Sequence, residues 1–311
     1  MSTSARRVFL AGLALAITGS VLFSAKAIVV KLAYRHGVDA ATLIALRMLF
    51  SVPFFAAALI FSSRGATPLT RSDHLRLIAI GLLGYYAASY LDFLGLQYIS
   101  AALERLILYL NPTIVLLMSA LFLGKRFSRL DIAALALAYG GILLVFLHDV
   151  RLENEGVPLG TALVLGSAVC YAAYLVMSGE LVRRIGAIRL TAYAMCVSTV
   201  AVFAQFLLLN PLSSLQQPAP VYGLSLINGV LCTVLPVFAT MLAVERIGAG
   251  RTSLAAMVGP VATIALAYVF LGESVSGWQL AGTALVLGGI YVLSRPSTVS
   301  ATARIASKER S

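Results

Sequence analysis

Charge is scarce in this chain: Asp, Glu, Lys and Arg make up 11% of its 311 residues. A soluble domain carries roughly 25%, because its surface must face water. The shortage, together with 60% apolar residues and a mean hydropathy of +0.95, excludes a soluble globular protein. Cysteine is almost absent too. Cys170, Cys196 and Cys232 each lie inside an apolar run, which excludes a secreted disulfide scaffold and makes them small core residues. The three histidines, His36, His74 and His148, sit at the ends of apolar runs or between them, and no Ser-His pair or His-Glu-His cluster falls inside one. An intramembrane hydrolase or metalloenzyme therefore has no residues to work with. A Gly-rich phosphate loop ending in Lys-Ser/Thr is missing as well, so ATP is not the direct driver. The expectation is no enzyme, no cofactor and no metal.

What charge there is has one dominant sign. The net charge is +11, from 23 Lys plus Arg against 12 Asp plus Glu. In a soluble domain that excess points to nucleic acid, but here the cations are scattered singly or in twos and threes, with no stripe and no stacking aromatics around them. No nucleic-acid partner is expected. Membrane topology explains the excess, because short cytoplasmic loops accumulate Lys and Arg.

A membrane-spanning helix needs about 20 mostly apolar residues. Ten stretches qualify, at 8–30, 40–62, 76–98, 101–124, 128–148, 158–179, 190–210, 221–246, 249–271 and 276–294; they are spans 1 to 10. Sorting the cations onto alternate sides places 17 on the side of the N-terminus, Lys125, Arg126, Arg295, Arg304, Lys308 and Arg310 among them, against Lys31, Arg35 and Arg151 on the other. That asymmetry predicts both termini inside. Arg6 and Arg7, followed by an apolar run and Ala25-Lys26-Ala27, mimic a twin-arginine signal peptide. The apolar run continues past Ala27, so the stretch reads as span 1.

The chain repeats itself. Residues 97–146 align without gaps onto 245–294 at an offset of 148, with 14 identities in 50 pairs. Pro112 falls on Pro260, Phe122-Leu123-Gly124 on Phe270-Leu271-Gly272, Ser128 on Ser276, and Gly140-Gly141-Ile142 on Gly288-Gly289-Ile290. Spans 4 and 5 thus recur as spans 9 and 10, and Gly19-Ser20 matches Gly166-Ser167 more weakly. Five spans per copy put the second copy upside down. The first copy continues Lys125-Arg126 after its Phe-Leu-Gly, and the second continues Glu273-Ser274. The expected organisation is a cytoplasmic N-terminus 1–7, a first repeat 8–148, an outer connection 149–157, an inverted second repeat 158–294 and a basic cytoplasmic tail 295–311. Inverted repeats are the architecture of secondary transporters, whose matched mid-membrane interruptions mark substrate contact. Pro112 and Pro260 are such interruptions, although they also read as packing kinks. Ala136 with Gly140, and Ala284 with Gly288, have the spacing of close helix packing.

Ionised side chains in a membrane cost roughly 2.5–3.5 kcal/mol each on insertion scales, so the few present are paired or functional. Lys26, Arg47, Asp92, Glu104 and Arg105 lie inside predicted spans, all roughly 6–12 Å from the outer end at 1.5 Å per residue. Their counterparts at the 148 offset are neutral: Thr240 for Asp92, Thr252 for Glu104 and Ser253 for Arg105. The formal +1 of this layer suits a substrate carboxylate, and Asp92 or Glu104 suits a coupling proton. Two bland readings stand beside these: a structural salt-bridge network, and snorkelling of Lys26 and Arg105 to the headgroups. Tyr85, Ser89 and Asp92 share one face of span 3, with Tyr86, Tyr90 and Gln97 beside it. Ser167, Tyr171, Tyr174 and Ser178 line one face of span 6, Asn111 adjoins Pro112, and span 8 offers Asn228 and Pro236. Tyrosines facing a cavity make a rim for amphipathic solutes. Tyr34 and Tyr98 read as interface anchors.

The ten-span, two-repeat layout, the stretch Phe23-Ser-Ala-Lys-Ala-Ile-Val-Val-Lys31 leading on to Leu46-Arg47, and the paired Pro and Phe-Leu-Gly elements resemble the EamA-type transporters of the drug/metabolite transporter superfamily. The resemblance covers about residues 8–294 and implies a ten-helix bundle around a central cavity between its halves. The tryptophan frequent in helix 1 of that family is missing, and the one tryptophan is Trp278. The function expected is secondary active export of small organic metabolites, amino acids or similar amphipathic solutes, by alternating access in a bacterial cytoplasmic membrane. Proton coupling is part of that expectation, and oligomeric state is left open. Metabolite uptake, and a membrane binding or scaffold protein without turnover, are the alternatives.

Overall fold

A computed structural model describes residues 3–123, 129–151 and 156–293. The Lys125-Arg126 connection, Ser128, residues 152–155 of the 149–157 connection and the 295–311 tail lie outside the described residues. Among those described there is no strand. The helices are α1 (Thr3–Tyr34), α2 (Ala40–Ser63), α3 (Arg71–Gly95), α4 (Ala101–Leu108 and Asn111–Leu123) and α5 (Arg129–Arg151). They continue as α6 (Val157–Ile185), α7 (Ala187–Leu209), α8 (Ala219–Ile247), α9 (Ala249–Ala256 and Gly259–Leu266, extended to Leu271 by a wider π turn) and α10 (Gly277–Leu293). Each expected span falls on one of them. Nine are long and apolar enough to cross a bilayer among the described residues, and the tenth, Gly277–Val292, is shorter. Leu121, Val200 and Leu208, 78%, 70% and 82% exposed, point outward, the reverse of a soluble surface and the rule for one facing lipid.

Local chemistry sets the helix starts. Asp39 caps α2 by accepting from the Thr42 N–H at 3.0 Å. Ser100 caps α4 by accepting from the Leu103 N–H at 3.1 Å. Thr70 and Asp73 form a reciprocal capping box, which satisfies two orphan donors and starts α3 at Arg71 rather than at 76.

The frame is duplicated in three dimensions. α4 breaks at 109–110 and α9 at 257–258, one repeat apart and in each case just before the residue pair that ends in proline. π turns interrupt α3 at Leu82–Ala87 and α8 at Ile227–Val234, again at related places. Packing follows the same exchange: α1 lies on α8 as α6 lies on α3, while α2 pairs with α7, α4 with α9 and, most extensively, α5 with α10.

The α5–α10 contact corrects one expectation. Ala136, Gly140 and Ala284 are exposed, and nothing lies within 4 Å of the place where a side chain on Gly140 or Gly288 would begin. The close approach is made one position round the helix, by residues that again match at the offset of 148. A Cβ on Gly141 would sit 2.6 Å from the Gly282 carbonyl, and one on Gly289 2.7 Å from the Ala134 carbonyl. One residue is about 100° of rotation at 3.6 residues per turn, enough to turn the expected pairs outward.

Gly282→Leu should therefore prise α5 from α10 and cost about 1–3 kcal/mol of stability through overpacking, read as a lower melting temperature in detergent. Gly140→Leu should leave that temperature unchanged; equal losses in both would show that the helices pack otherwise.

Candidate functional site

The five intramembrane charges meet where α1, α2, α3 and the first half of α4 converge, and all five are buried. The Lys26 ammonium lies 2.5 Å from Asp92 Oδ2 and 3.2 Å from Glu104 Oε1. Arg105 Nη2 donates to Ser24 Oγ at 2.7 Å, and its guanidinium stands over the rings of Phe23 and Tyr109 at 5.0 and 5.3 Å. Snorkelling is thereby overturned for Lys26 and Arg105. Their heads turn inward because two carboxylates and a hydroxyl are nearer than the headgroups. Removing one partner from such a buried pair costs about 3–5 kcal/mol, since the other charge is stranded.

Arg47, like Arg105 and unlike Lys26, is held by a serine hydroxyl and an aromatic face and forms no ion pair among the described residues. Its Nη2 donates to Ser89 Oγ at 2.9 Å and its guanidinium lies 5.0 Å from the centre of the Phe93 ring. It is 5% exposed, and its Nε has no hydrogen-bond partner among the described residues. Ser89, Asp92 and Phe93 occupy one turn of α3, so Arg47 and Lys26 are held against the same short stretch of helix.

The broken α9 docks onto this layer. Pro260 has no N–H, so the carbonyl four residues earlier, that of Ala256, loses its helical donor. Ser20 Oγ and Tyr109 Oη supply replacements at 2.8 and 2.5 Å. Ser24 Oγ reaches the Gly259 carbonyl at 3.0 Å, which links Arg105 through one hydroxyl to α9. A Cβ at 259 would stand 2.2 Å from Tyr109 Oη, 3.0 Å from Ser20 Oγ and 3.1 Å from Arg105 Nη2, so any side chain there must displace these groups. Ser20, Ser24 and Tyr109 are absent from the sequence-based candidates; the orphan carbonyl that Pro260 implies is the signal that leads to them. Pro112 strands the Leu108 carbonyl in the same way, but the Asn111 side chain of the same helix donates to it at 2.7 Å. Pro260 is buried and Pro112 is exposed.

The remaining candidates lie apart from the charges. Tyr85, Tyr171 and Tyr174 pack on one another between α3 and α6, with the Tyr85 and Tyr174 hydroxyls 3.3 Å apart and neighbouring rings 5.2 Å apart. Tyr86 and Tyr90 are half-buried against the main core. Asn228 is wholly buried in the π turn of α8 with neither amide atom hydrogen-bonded among the described residues, and Pro236 is buried two residues after that stretch. Tyr34 and Tyr98 make tertiary contacts: Tyr34 Oη donates to the Phe93 carbonyl at 2.7 Å, and the Tyr98 ring covers Gly156 and Gly160. In the second repeat, Thr252 Oγ1 donates to its own helix at the Gly248 carbonyl.

Polar contacts also join the halves at each end. Lys31 pairs with Glu273 at 3.1 Å, and Arg35 donates to the Leu271 carbonyl at 2.6 Å. At the opposite end Arg184 pairs with Asp73, and Arg189 donates to the Thr67 carbonyl at 2.9 Å. An open cleft of about 430 Å³ lies just beyond the charged layer, lined by Lys31, Tyr34, Gly37, Val38, Asp39, Leu96 and Gln97.

If the Gly259–Tyr109 contact positions α9, Gly259→Ala should lower the melting temperature, by overpacking worth about 1–3 kcal/mol. Tyr109→Phe in the same chain should recover part of the loss by removing the clashing oxygen. A double variant no better than the single one would place the fault elsewhere.

The EamA-like transporter family matches the chain twice, over residues 10–147 and 158–295. An uncharacterized transporter of Bacillus subtilis (strain 168), YcbK, is 31% identical, over 90% of this chain and 90% of its own. A probable amino-acid metabolite efflux pump of Salmonella typhimurium (strain LT2) is 25% identical, over 80% of this chain and 84% of its own. A crystal structure described only as that of a protein has the same fold, with a TM-score of 0.65 at 18% identity, covering 90% of this chain and 97% of that one.

Proposed function

The chain belongs to the EamA-like transporter family, and on that premise we propose that it exports small organic metabolites bearing a carboxylate, amino acids and similar solutes, by secondary active transport. The observation that carries this reading is Arg47: a cation buried between α2 and α3, beside Asp92 on α3, with no hydrogen-bond partner on its Nε and no ion pair among the described residues. Guanidinium matches a carboxylate in a planar fork, and Phe93 and Ser89 hold the group in place without neutralising it. The outward direction is supported by the Salmonella relative, a probable amino-acid metabolite efflux pump. The distribution of Lys and Arg supports both termini inside a bacterial cytoplasmic membrane, which puts the charged layer in the outer part of the bundle.

In this reading the two repeats rock about the layer between them, and the contacts Lys31–Glu273 and Asp73–Arg184 close opposite ends in turn. Pro112, Pro260 and Pro236 are the points where helices bend, Asn111 and Asn228 supply polar atoms along the path, and the tyrosines Tyr85, Tyr86, Tyr90, Tyr171 and Tyr174 form its aromatic wall. Coupling to a proton belongs to the same proposal. Glu104 is wholly buried with Lys26 as its sole ion-pair partner among the described residues, and its protonation would leave that ammonium paired with Asp92 alone.

Purified protein in liposomes, loaded with a panel of amino acids and amphipathic metabolites, tests the reading: saturable flux of carboxylate-bearing solutes is expected, and no flux of any solute would refute it. Arg47→Ala should lower affinity for those solutes at least tenfold, the loss of a charged hydrogen bond of about 1.5–3 kcal/mol, while decarboxylated analogues are unaffected. Wild-type affinity in that variant would make Arg47 structural. Asp92→Asn or Glu104→Gln should flatten the pH profile of the flux, and unchanged profiles in both would end the proton-coupling proposal.

A further inference from the structure

The Lys26 ammonium is seated in a cradle larger than it fills. It touches one oxygen of Asp92 and one of Glu104, at 2.5 and 3.2 Å. The other oxygen of each, Asp92 Oδ1 and Glu104 Oε2, is buried with no hydrogen-bond partner among the described residues. A carboxylate has about four acceptor sites, so the pair offers far more than one ammonium uses. The Phe23 ring closes another side, 5.4 Å from Lys26 Nζ, and an aromatic face favours a cation. The occupant is a compact point charge on a flexible four-carbon stem, held only by the groups of the cradle itself. By contrast, Arg105 is fixed by Ser24 and two rings.

We propose that the Asp92–Glu104 cradle is a subsite for a primary ammonium group, which Lys26 fills while the transporter is empty and from which a substrate's own amine displaces it. Two independent features point to a ligand. One is the ammonium already seated there. The other is Arg47, buried on the same layer with a free Nε and set against Ser89 and Phe93, the residues that flank Asp92 on α3. An anion-seeking group thus adjoins a cation-seeking one, which suits a solute carrying an ammonium beside a carboxylate. The exchange conserves charge: one ammonium leaves the cradle as another enters, and the freed Lys26 faces the carboxylate that arrives with it. The electrostatic cost of exposing two buried anions is never met, because the cradle is occupied throughout. This subsite rests on the proposed transport of carboxylate-bearing metabolites, but its chemistry can be read without transport.

The experiment is amine rescue of Lys26→Ala in the purified full-length protein. Methylammonium and n-propylammonium should raise the melting temperature of the variant saturably, as binding to the folded state requires, and should leave the wild type unchanged. Tetramethylammonium, too large and without N–H donors, and sodium chloride at equal ionic strength should have no effect. If the variant yields folded protein only when n-propylammonium is present during purification, that recovery supports the cradle equally. No response to primary amines in either assay, or the same response to tetramethylammonium and salt, overturns it. Displacement is read in liposomes: acetylating the amine of a solute that the wild type carries should reduce its flux by about tenfold or more, the scale of one lost charged contact. Undiminished flux would overturn the displacement step. Failure of the transport reading is distinct, since it shows as no flux of any solute whatever the amines do to the variant.

Discussion

A charge moved out of water must be met by another charge or by strong donors and acceptors, and this bundle concentrates that requirement in one layer. Lys26 of α1 pairs with Asp92 of α3 and Glu104 of α4, and Arg105 of α4 donates to Ser24 of α1. Those three helices are thereby tied at a single depth, and Arg47 joins α2 to α3 there through Ser89. Through Ser24 the same network reaches the Gly259 carbonyl of α9, so the position of a helix in the second repeat depends on charges in the first. Arg47 lies in the same layer, held by Ser89 and Phe93 with no ion pair among the described residues, and it is there that the proposed carboxylate would pair.

The two repeats share a frame but divide the chemistry. Helix breaks, π turns and the glycine contacts of α5 and α10 recur at matching positions. The consequences of the two prolines do not. Pro112 strands a carbonyl that Asn111 satisfies within α4, whereas Pro260 strands one that Ser20 and Tyr109 satisfy from α1 and α4. The first break is sealed by its own helix, and the second is held by its neighbours. Where the first repeat carries Glu104, the second carries Thr252, which turns back onto its own helix. Duplication thus supplies the fold, and divergence confines the charged site to one half.

The cost of ionised groups in lipid made the five charges legible from the sequence, and helix rise placed them at a common depth. Their partners were not legible, since Lys26 and Arg105 stand near enough to helix ends for inward and outward side chains alike. The helical spacing of Tyr85 and of Tyr171 with Tyr174 identified faces, but a face does not say what covers it; these two faces cover each other. The small residues of α5 and α10 failed for a related reason. Adjacent glycines such as Gly140 and Gly141 differ by about 100° in direction, and only the neighbouring helix decides which of them lies in the seam.

Apolar run length, the paucity of charge and the internal offset of 148 residues determined by themselves that the chain crosses a membrane as duplicated helices, because these properties are local or periodic along the chain. The tertiary structure alone decided that Lys26 meets Asp92, 66 residues away, that Ser24 meets Gly259, 235 residues away, and that Arg47 is held by Ser89, 42 residues away, rather than by an ion pair among the described residues. Such contacts are set by the angle and rotation of packed helices, which no local pattern specifies.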